Sequence, residues 1–495
     1  AKILNIVLTN RNNGGERSEL AGFPHHSLNT YLPKLVKAGQ RVAICDQLED
    51  PKQTKTIVKR GVTELVTPGV ALNDEVLQSK TNNFLCAIHV GKKNYGVGFL
   101  DVSTGEFLTA QGNAEYVDKL LQNFSPSEVL IPKKFKKQFA EEFGSDFHTY
   151  YLEDWIFQPD YAHETLNTHF QTNSLKGFGI EQLEEGIIAS GAILYYLSET
   201  QHHKLQHITS IARIAEEEYV WMDRFTIRNL ELYHAKDQHA VTLLDVIDKT
   251  ISPMGGRMLK RWLALPLKNT EKIAQRHQVV NYFMKHLTLQ QNIQQHIKQI
   301  GDLERLISKV ATQKINPREV VQLKNSLNAI VPIKQIISET DSEALKVLGE
   351  NLHACDLLRN KIEECLHDEA PVNIVKGNAV APGFSEELDE LRQIAFSGKD
   401  YLDKMVEREV EATGITSLKI ASNNVFGYYI EVRNTHKDKV PETWVRKQTL
   451  VSSERYITEE LKEYEAKILG AEEKIHVLEQ EIFQKLISWI NDYIK

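Results

Sequence analysis

The sequence contains 495 residues with a net charge of −8 at pH 7, and its apolar runs stay well below the roughly 18 residues that a membrane-spanning helix requires. A single hydrophobic core stops growing well below this length, so we expect about three or four domains. The 4 cysteines are scattered without a CxxC pair, which excludes a disulfide-stabilised secreted fold and indicates a reduced, cytoplasmic protein with no membrane partner.

Positive charge is concentrated in two segments of this acidic chain. Residues 1–70 hold ten Lys and Arg against six Asp and Glu, and residues 419–450 hold six against three. Two separated basic surfaces on an acidic frame would suit a protein that grips a polyanion in two places. The alternative is an ordinary local fluctuation of charge, which many proteins show.

The first 150 residues predict two successive α/β units. In residues 1–70, strands are expected at ILNIVLT, QRVAICDQL and TELVTPGV, and the amphipathic helix HSLNTYLPKLVKAG should end at Gly39 in a left-handed conformation. In residues 71–150, the runs FLCAIHV, YGVGFLDVS and GEFLTAQ predict consecutive antiparallel strands. The helix YVDKLLQNF and the strand EVLIP are expected to follow them.

Beyond residue 180 the pattern is helical almost throughout, and it ends in a helical arm. Two long helices are predicted over 384–413 and 453–495, and a β-rich block lies between them at 418–451. The second helix carries apolar residues at alternating spacings of four and three, which is typical of a coiled-coil seam. The first helix offers a matching stripe. The block should therefore sit at the tip of an antiparallel arm roughly 45 Å long.

The basic residues of this block are the best candidates for function. Long side chains with nitrogen donors suit phosphate oxygens, and short amides or an imidazole can add to them. The candidates are Lys419, Asn423, Arg433, His436, Lys437, Arg446 and Lys447. No base-reading helix is expected there, so such contacts would be independent of sequence and sensitive to salt. A solvated hairpin surface without function is the alternative.

Catalytic and metal-binding patterns are weak. Asp101 ends a strand where a metal nuclease would hold a carboxylate, but no converging acids can be assigned, and a turn role is favoured. His203 and His207 are four apart on a predicted helix and could face one metal ion. They lack the Glu of HExxH and a third ligand, so a solvated helix surface is favoured. The chain has no GxxxxGK[ST] motif.

Several long motifs resemble, in the same order, those of the MutS family of DNA mismatch-recognition proteins. They are AGFPHHSLNTYLPKLVKAGQRVAICDQLEDP, VTPGV, GFLDVSTGEF, SPMGGRMLKRWLALPL, DLERL, APGFSEELDELR and NVFGYYIEV followed by RKQTLVSSERYITEELKEYE. The resemblance runs over nearly the whole chain.

The resemblance implies a multidomain α+β architecture. Residues 1–69 look like part of a mixed α/β mismatch-binding domain, and residues 70–212 like a connector domain with a ribonuclease H-like fold. Residues 213–398 and 459–495 look like a large all-α core with long lever helices. Residues 399–458 look like a β-rich clamp inserted between the levers.

The resemblance also implies a function. In the family a homodimer encircles duplex DNA, a Phe-x-Glu motif enters the mismatch, and an ATPase domain using ATP and Mg²⁺ drives conversion to a sliding clamp that recruits a downstream repair protein. The Phe-x-Glu motif would precede Ala1 and the ATPase would follow Lys495. We therefore expect this chain to be partial, not an enzyme and without a cofactor, and to grip the DNA backbone nonspecifically.

Carried over by position, Asn423, Arg446 and Lys447 are the leading clamp contacts, and Lys419, His436 and Lys437 rank after them. In the first domain, the family motifs that approach DNA contain Arg11, Leu20 and His25. Family members usually have Met at the position of Leu20 and Tyr at that of His25.

The motif SPMGGRMLKRWL is expected to be structural. Gly255 and Gly256 should permit a tight corner and close helix packing. Arg257 and Arg261 should satisfy neighbouring carbonyls or carboxylates.

A second functional class stays open. The chain could be a MutS-like scaffold for protein interaction or for binding recombination junctions, without mismatch recognition. The segment 1–69 favours the mismatch-repair role, because relatives specialised for other roles commonly lack that domain.

Overall fold

The computed structural model describes residues 1–13, 16–49, 57–233, 240–423 and 427–494, with the backbone alone for residues 11–13, 16, 224 and 376. The chain divides into two compact units. The first comprises Ala1–Ile315, Asn325–Cys355 and Asn491–Lys495, and the second comprises Asn316–Lys324 and Asp356–Ile490.

The first unit begins with a hairpin and a small α/β layer. Its elements are β1 (Leu8–Asn13), β2 (Glu16–Ala21), α1 (Leu28–Lys37), β3 (Val42–Gln47) and β4 (Arg60–Val66). Strands β1 and β2 pair with each other, as do β3 and β4, and both pairs are antiparallel. The predicted helix is confirmed and is followed by Gly39 at φ +76°.

The predicted strand at the chain start is partly wrong. A turn forms first, because Asn5 takes a positive φ of 52°, which asparagine tolerates better than most residues. Its N–H donates to the carbonyl of Lys2 at 3.3 Å. The strand therefore begins at Leu8, five residues later than the apolar run suggests.

A mixed sheet forms the centre of the first unit. Its elements are β5 (Leu85–Val90), β6 (Tyr95–Asp101), β7 (Glu106–Gly112), α2 (Ala114–Phe124), β8 (Glu128–Pro132), α3 (Lys136–Phe143), β9 (Thr149–Leu152), α4 (Pro159–Phe170), α5 (Glu184–Glu199) and β10 (Ala212–Arg213). The strand order is β10-β7-β6-β5-β8-β9. The antiparallel run β5-β6-β7 is as predicted, and β8 joins β5 in parallel.

Short and medium helices complete the first unit and lead into the second. They are α6 (Arg224–Asn229), α7 (Leu243–Ile247), α8 (Pro253–Ala264), α9 (Thr270–Lys285), α10 (Leu287–Ile297), α11 (Leu303–Ala311), α12 (Pro317–Ser338), α13 (Glu343–Glu350) and α14 (Asp356–Cys365). Single 3-10 turns lie at His25–Ser27, Lys133–Phe135, Asp154–Phe157, Leu175–Phe178, Glu216–Glu218, Ile374–Lys376 and Asn434–Lys439.

The arginines of α8 have the predicted structural role. Arg257 is buried and donates to Asp302 at 2.7 Å and to the carbonyl of Ser79 at 2.8 Å. Arg261 forms an ion pair with Glu106. The predicted corner is wrong, since both glycines of the motif lie in the first turn of α8. Gly256 does permit a close approach, but to a turn and not to a helix: a Cβ there would approach the Lys80 side chain to 2.7 Å.

The second unit contains the predicted helical arm. Helix α15 (Glu386–Thr413) and helix α16 (Glu459–Ile494) flank four strands, β11 (Lys419–Asn423), β12 (Gly427–Arg433), β13 (Val445–Thr449) and β14 (Ser453–Ile457). The predicted helix start at residue 453 is wrong. Residues Ser453–Ile457 pair with both β12 and β13, and α16 begins only after Thr458, whose hydroxyl accepts from the N–H of Leu461 at 3.1 Å.

The two arm helices run antiparallel, as predicted. Three ion pairs show the direction, because their members advance along α15 while they retreat along α16: Arg392 with Glu479, Lys399 with Glu472, and Arg408 with Glu460. The predicted apolar stripes form the contact. Leu388 and Ala395 cluster with Ala471 and Ile475, and further along the arm Leu402 and Met405 cluster with Leu461 and Ile468.

Within the described part of the chain, no helix is both long enough and apolar enough to cross a membrane.

Candidate nucleic-acid interface

The four strands at the end of the arm form one antiparallel sheet in the order β11-β12-β14-β13, called the tip sheet below. Alternate residues of a strand point to opposite faces. Ile430, Val432 and Tyr456 cluster with Leu402, Met405 and Leu461 of the arm, so this inner face is covered by the helices. The outer face carries the residues that alternate with them.

A row of polar side chains crosses the outer face. The register places Lys419 opposite Glu431, Glu431 opposite Arg455, and Arg455 opposite Gln448, so the row spans all four strands. Lys419 Nζ lies 3.3 Å from Glu431, and Arg455 Nε lies 3.6 Å from the same carboxylate. One carboxylate thus faces two cations. We call these four residues the polar row.

Arg455 is the most firmly held member of the polar row. Its Nη1 donates to Gln448 Oε1 at 2.8 Å, and its guanidinium lies over the Tyr429 ring with 4.3 Å to the centroid. Stacking on an aromatic face and a hydrogen bond to an amide both suit the planar guanidinium. Arg455 therefore keeps its position through contacts other than its ion pair with Glu431.

The edge strand β13 carries two further cations outside the polar row, Arg446 and Lys447. Arg446 Nη1 donates to Glu454 Oε1 at 3.3 Å. The pKa of Glu454 lies below its ordinary value because the Tyr456 hydroxyl donates to it, and the positive charges of Arg446 and Lys437 add to this effect. Lys447 lies where the register shifts between Arg446 and Gln448, so it has no opposite residue in β14.

Several basic groups of the tip sheet are available to a ligand. Among the described residues, the side chains of Arg433, Lys439 and Lys447 are exposed and form no hydrogen bond or ion pair. His436 and Lys437 lie in the 3-10 helix Asn434–Lys439, directly after the end of β12. Arg446 and Lys419 are also more than half exposed, although each is paired with a carboxylate.

Asn423 lies apart from Arg446 and Lys447. It ends β11 opposite Gly427, at one edge of the sheet, whereas both cations lie on the other edge strand. Three strand spacings of about 4.8 Å separate the edges by roughly 14 Å. The Asn423 end of the sheet also lies against the arm, because the N–H of Tyr428 donates to Glu465 Oε1 at 2.8 Å. The three leading candidates therefore do not form one cluster.

The candidates of the first unit lie in or directly after the β1–β2 hairpin. Leu20 is half-exposed in β2 opposite Thr9, whose hydroxyl donates to the Leu20 carbonyl at 2.9 Å. His25 is exposed at the start of the 3-10 turn His25–Ser27. The backbone of Arg11 pairs with Ser18, and the side chain of Arg11 lies outside the described residues.

Asp101 has the predicted turn role. One carboxylate oxygen accepts from the N–H and hydroxyl of Ser103 at 2.9 and 2.7 Å, and the other accepts from the N–H of Asn83 at 3.1 Å. All of these donors hold the loops around a buried carboxylate. No group of three or more metal-binding side chains occurs among the described residues.

The predicted helical surface at His203 and His207 is wrong. Helix α5 ends at Glu199, and both histidines lie in the loop that follows. His203 is exposed, but His207 is buried and its Nε2 donates to the carbonyl of Val102 at 2.8 Å. Burial lowers the pKa of His207 to about 4, so the ring is neutral at pH 7.

Arg455 and Glu431 were missed as functional candidates by sequence reasoning. The alternation in GYYIEVR could have placed Glu431 and Arg433 on one face, because Ile430 and Val432 occupy the other. Arg455 was not considered because the sequence predicts a helix from residue 453, where the structure has strand β14. Its place in the polar row follows from pairing between strands that are distant in sequence.

Comparisons with known proteins identify the family of the chain. Family models described as MutS domain I, MutS domain II and MutS domain III match residues 1–75, 83–209 and 225–495. The predicted division of the chain into mismatch-binding, connector, core, lever and clamp parts stays a prediction.

Curated relatives cover the whole chain. The DNA mismatch repair protein MutS of Christiangramia forsetii is 75% identical over 494 residues, and that of Flavobacterium johnsoniae is 70% identical over 496 residues. The protein of the same name from Parabacteroides distasonis is 58% identical over 495 residues. In each case the match covers 100% of this chain and 57% of the relative. Because the domain III model alone matches more than half of the sequence, the chain belongs to the MutS family.

Proposed function

We propose that the tip sheet holds duplex DNA by its sugar-phosphate backbone, acting as the clamp of a mismatch-repair protein. The observation that carries this proposal is the set of exposed cations on the sheet, of which Arg433, Lys439 and Lys447 have no partner among the described residues. Unpaired lysines and arginines repel one another and gain most from a polyanion. The family relationship supports DNA as that polyanion.

The grip is independent of base sequence. Reading bases in the major groove takes a helix or a two-stranded ribbon that enters the groove. The candidate cations instead lie on a sheet face, on a sheet edge and in a short 3-10 helix. Such groups reach phosphate oxygens, which position a protein on DNA without carrying sequence information.

The remaining activities of the family are proposals for the whole protein. The chain spans 57% of the length of its relatives. We propose that the complete protein recognises mismatches as a homodimer, hydrolyses ATP with Mg²⁺, and recruits a downstream repair protein through the mixed-sheet domain. A ribonuclease H-like origin of that domain is consistent with its central antiparallel run followed by parallel strands.

A salt titration tests the backbone grip. Binding of the chain to a fluorescent duplex is measured by anisotropy, with and without a mismatch, between about 50 and 200 mM salt. If about four phosphates are contacted, the logarithm of the binding constant should fall with a slope of about −4 against the logarithm of salt concentration. We expect equal affinity for the two duplexes.

Substitutions on the sheet locate the grip. Lys447→Gln should weaken binding about threefold to fivefold and reduce the salt slope by about one. The control is Lys474→Gln, which removes the same charge from an exposed position on α16. Equal effects of the two variants, or a strong preference for the mismatch, would contradict a nonspecific grip by the tip sheet. No DNA binding at all would favour the scaffold alternative.

A further inference from the structure

The polar row places a carboxylate in the middle of the proposed DNA-binding face. Glu431 lies between Lys419 and Arg455 on neighbouring strands and is within ion-pair distance of both. Resting on the proposed function, we propose that Glu431 is a built-in competitor of DNA phosphate: it offsets the charge of both cations when DNA is absent and must yield Lys419 when DNA binds. The tip sheet then holds the backbone weakly enough to release it readily.

Of the two cations, Lys419 can reach a phosphate directly, and Arg455 acts through its charge. The Lys419 side chain is 63% exposed, so its ammonium can leave Glu431 without uncovering a buried charge. Arg455 is more enclosed, with a side chain 20% exposed, and its contact with Gln448 occupies Nη1. The guanidinium atom nearest to Glu431 is Nε, at 3.6 Å, and this nitrogen is buried, so Arg455 contributes positive charge to the face and Lys419 is the cation that Glu431 withholds from a phosphate.

A carboxylate beside two cations could instead hold them in place for DNA, which would give the opposite effect. The other contacts of Arg455 argue against this role. Stacking on Tyr429 and the hydrogen bond to Gln448 keep the guanidinium in position without Glu431. Removing the negative charge should therefore change the electrostatics of the face more than its geometry.

The direction and size of the expected change in DNA affinity follow from the net charge of the polar row. The polar row carries a net charge of +1 with Glu431 ionised and +2 without it. Phosphates within about 10 Å feel the difference at ordinary salt. At a separation of roughly 7 Å in a water-like dielectric, the gain for one or two phosphates corresponds to about threefold tighter binding.

The experiment measures DNA affinity of the full chain for Glu431→Gln. The amide keeps the shape of the side chain and one acceptor oxygen. We expect about threefold tighter binding to a matched duplex, with a steeper salt dependence. The matched control is Glu442→Gln, which removes the same charge from an exposed position between the 3-10 helix and β13, outside the polar row.

A double variant shows whether the gain passes through Lys419. Lys419→Gln alone should weaken binding, and adding it to Glu431→Gln should remove part of the gain, which gives a non-additive cycle. Thermal unfolding confirms that each variant is folded. Independent, additive effects in the cycle would overturn the competitor role.

The outcomes separate this inference from the proposed function. If Lys447→Gln weakens binding but Glu431→Gln leaves it unchanged or weaker, the backbone grip stands and the competitor is refuted. If Glu431→Gln and Glu442→Gln tighten binding equally, only net charge matters and the competitor is again refuted. If neither the chain nor any variant binds DNA, the proposed function itself fails.

Discussion

The mixed sheet of the first unit and the tip sheet of the second differ in what covers their faces. In β5, Leu85 and Ala87 enter one hydrophobic cluster while Cys86 and Ile88 enter another, so the mixed sheet is buried on both sides. In β12, Ile430 and Val432 are buried, but Glu431 and Arg433 face outward. A sheet buried on both faces offers neither face to a ligand, whereas a sheet with one open face offers that face as a binding surface.

Charged groups follow the same division. In the mixed sheet, Glu128 is buried and accepts from the hydroxyls of Thr67 and Tyr196 and from the N–H of Gly69. These hydrogen-bond partners of Glu128 all lie inside the protein. Most cations of the tip sheet, such as Lys419 and Arg446, are exposed, so their positive charge is available to a ligand. A charged residue is therefore structural in the mixed sheet and a candidate for ligand binding in the tip sheet.

The largest expected effect is on the mixed sheet. Glu128→Ala leaves three buried donors without their acceptor and should lower the free energy of unfolding by about 4 kcal/mol. Thermal unfolding measures the loss, and Glu141→Ala, at an exposed position on α3, is the control. DNA affinity measured below the unfolding temperature should not change. A loss of DNA affinity with unchanged stability would break the contrast between the two sheets.

A smaller effect depends on pH and concerns the loop beside the mixed sheet. His207 is neutral in the folded protein down to a pKa of about 4, whereas an unfolded histidine takes up a proton near pH 6.5. The unfolded state therefore binds more protons, and stability falls as pH falls from about 6.5 to 4. At pH 5 this one group should cost about 2 kcal/mol relative to pH 7.

His207→Gln should reduce this acid sensitivity. Denaturation of wild type and variant at several pH values measures the difference, and the stability of the variant should fall less between pH 7 and 5. Part of the dependence should persist, because burial also lowers the pKa of His89 to about 4 and that of His169. His203→Gln, at an exposed position, is the control, and an equal flattening by that variant would contradict the assignment to His207.

The contrast between the sheets was only partly predictable from sequence. Nearly continuous apolar runs such as FLCAIHV predict a doubly buried strand, and the charges of the β-rich block were visible by counting. The pairing of Lys419 and Arg455 with one carboxylate could not be predicted from the sequence, because it depends on the register between strands. Helix-favouring glutamates in SSERYITEELKEY also concealed β14, whose strand conformation is imposed by its two neighbours.

The smallest of these effects concerns the join between the tip sheet and the arm. Gly427 has φ +68°, and a Cβ at this position would collide with the Glu465 side chain that accepts from the N–H of Tyr428. Gly427→Ala should therefore cost about 1 kcal/mol from backbone strain and part of one hydrogen bond.

The effect of Gly427→Ala should remain local to the tip sheet. Hydrogen exchange should show faster opening of β11 and β12, while the mixed sheet keeps its protection. Gly470→Ala is the control, because this glycine lies within α16 with open space around it, and alanine should stabilise the helix slightly. If Gly427→Ala loosened the mixed sheet as well, the two sheets would belong to one cooperative unit. Their separate roles as scaffold and ligand surface would then lack an energetic basis.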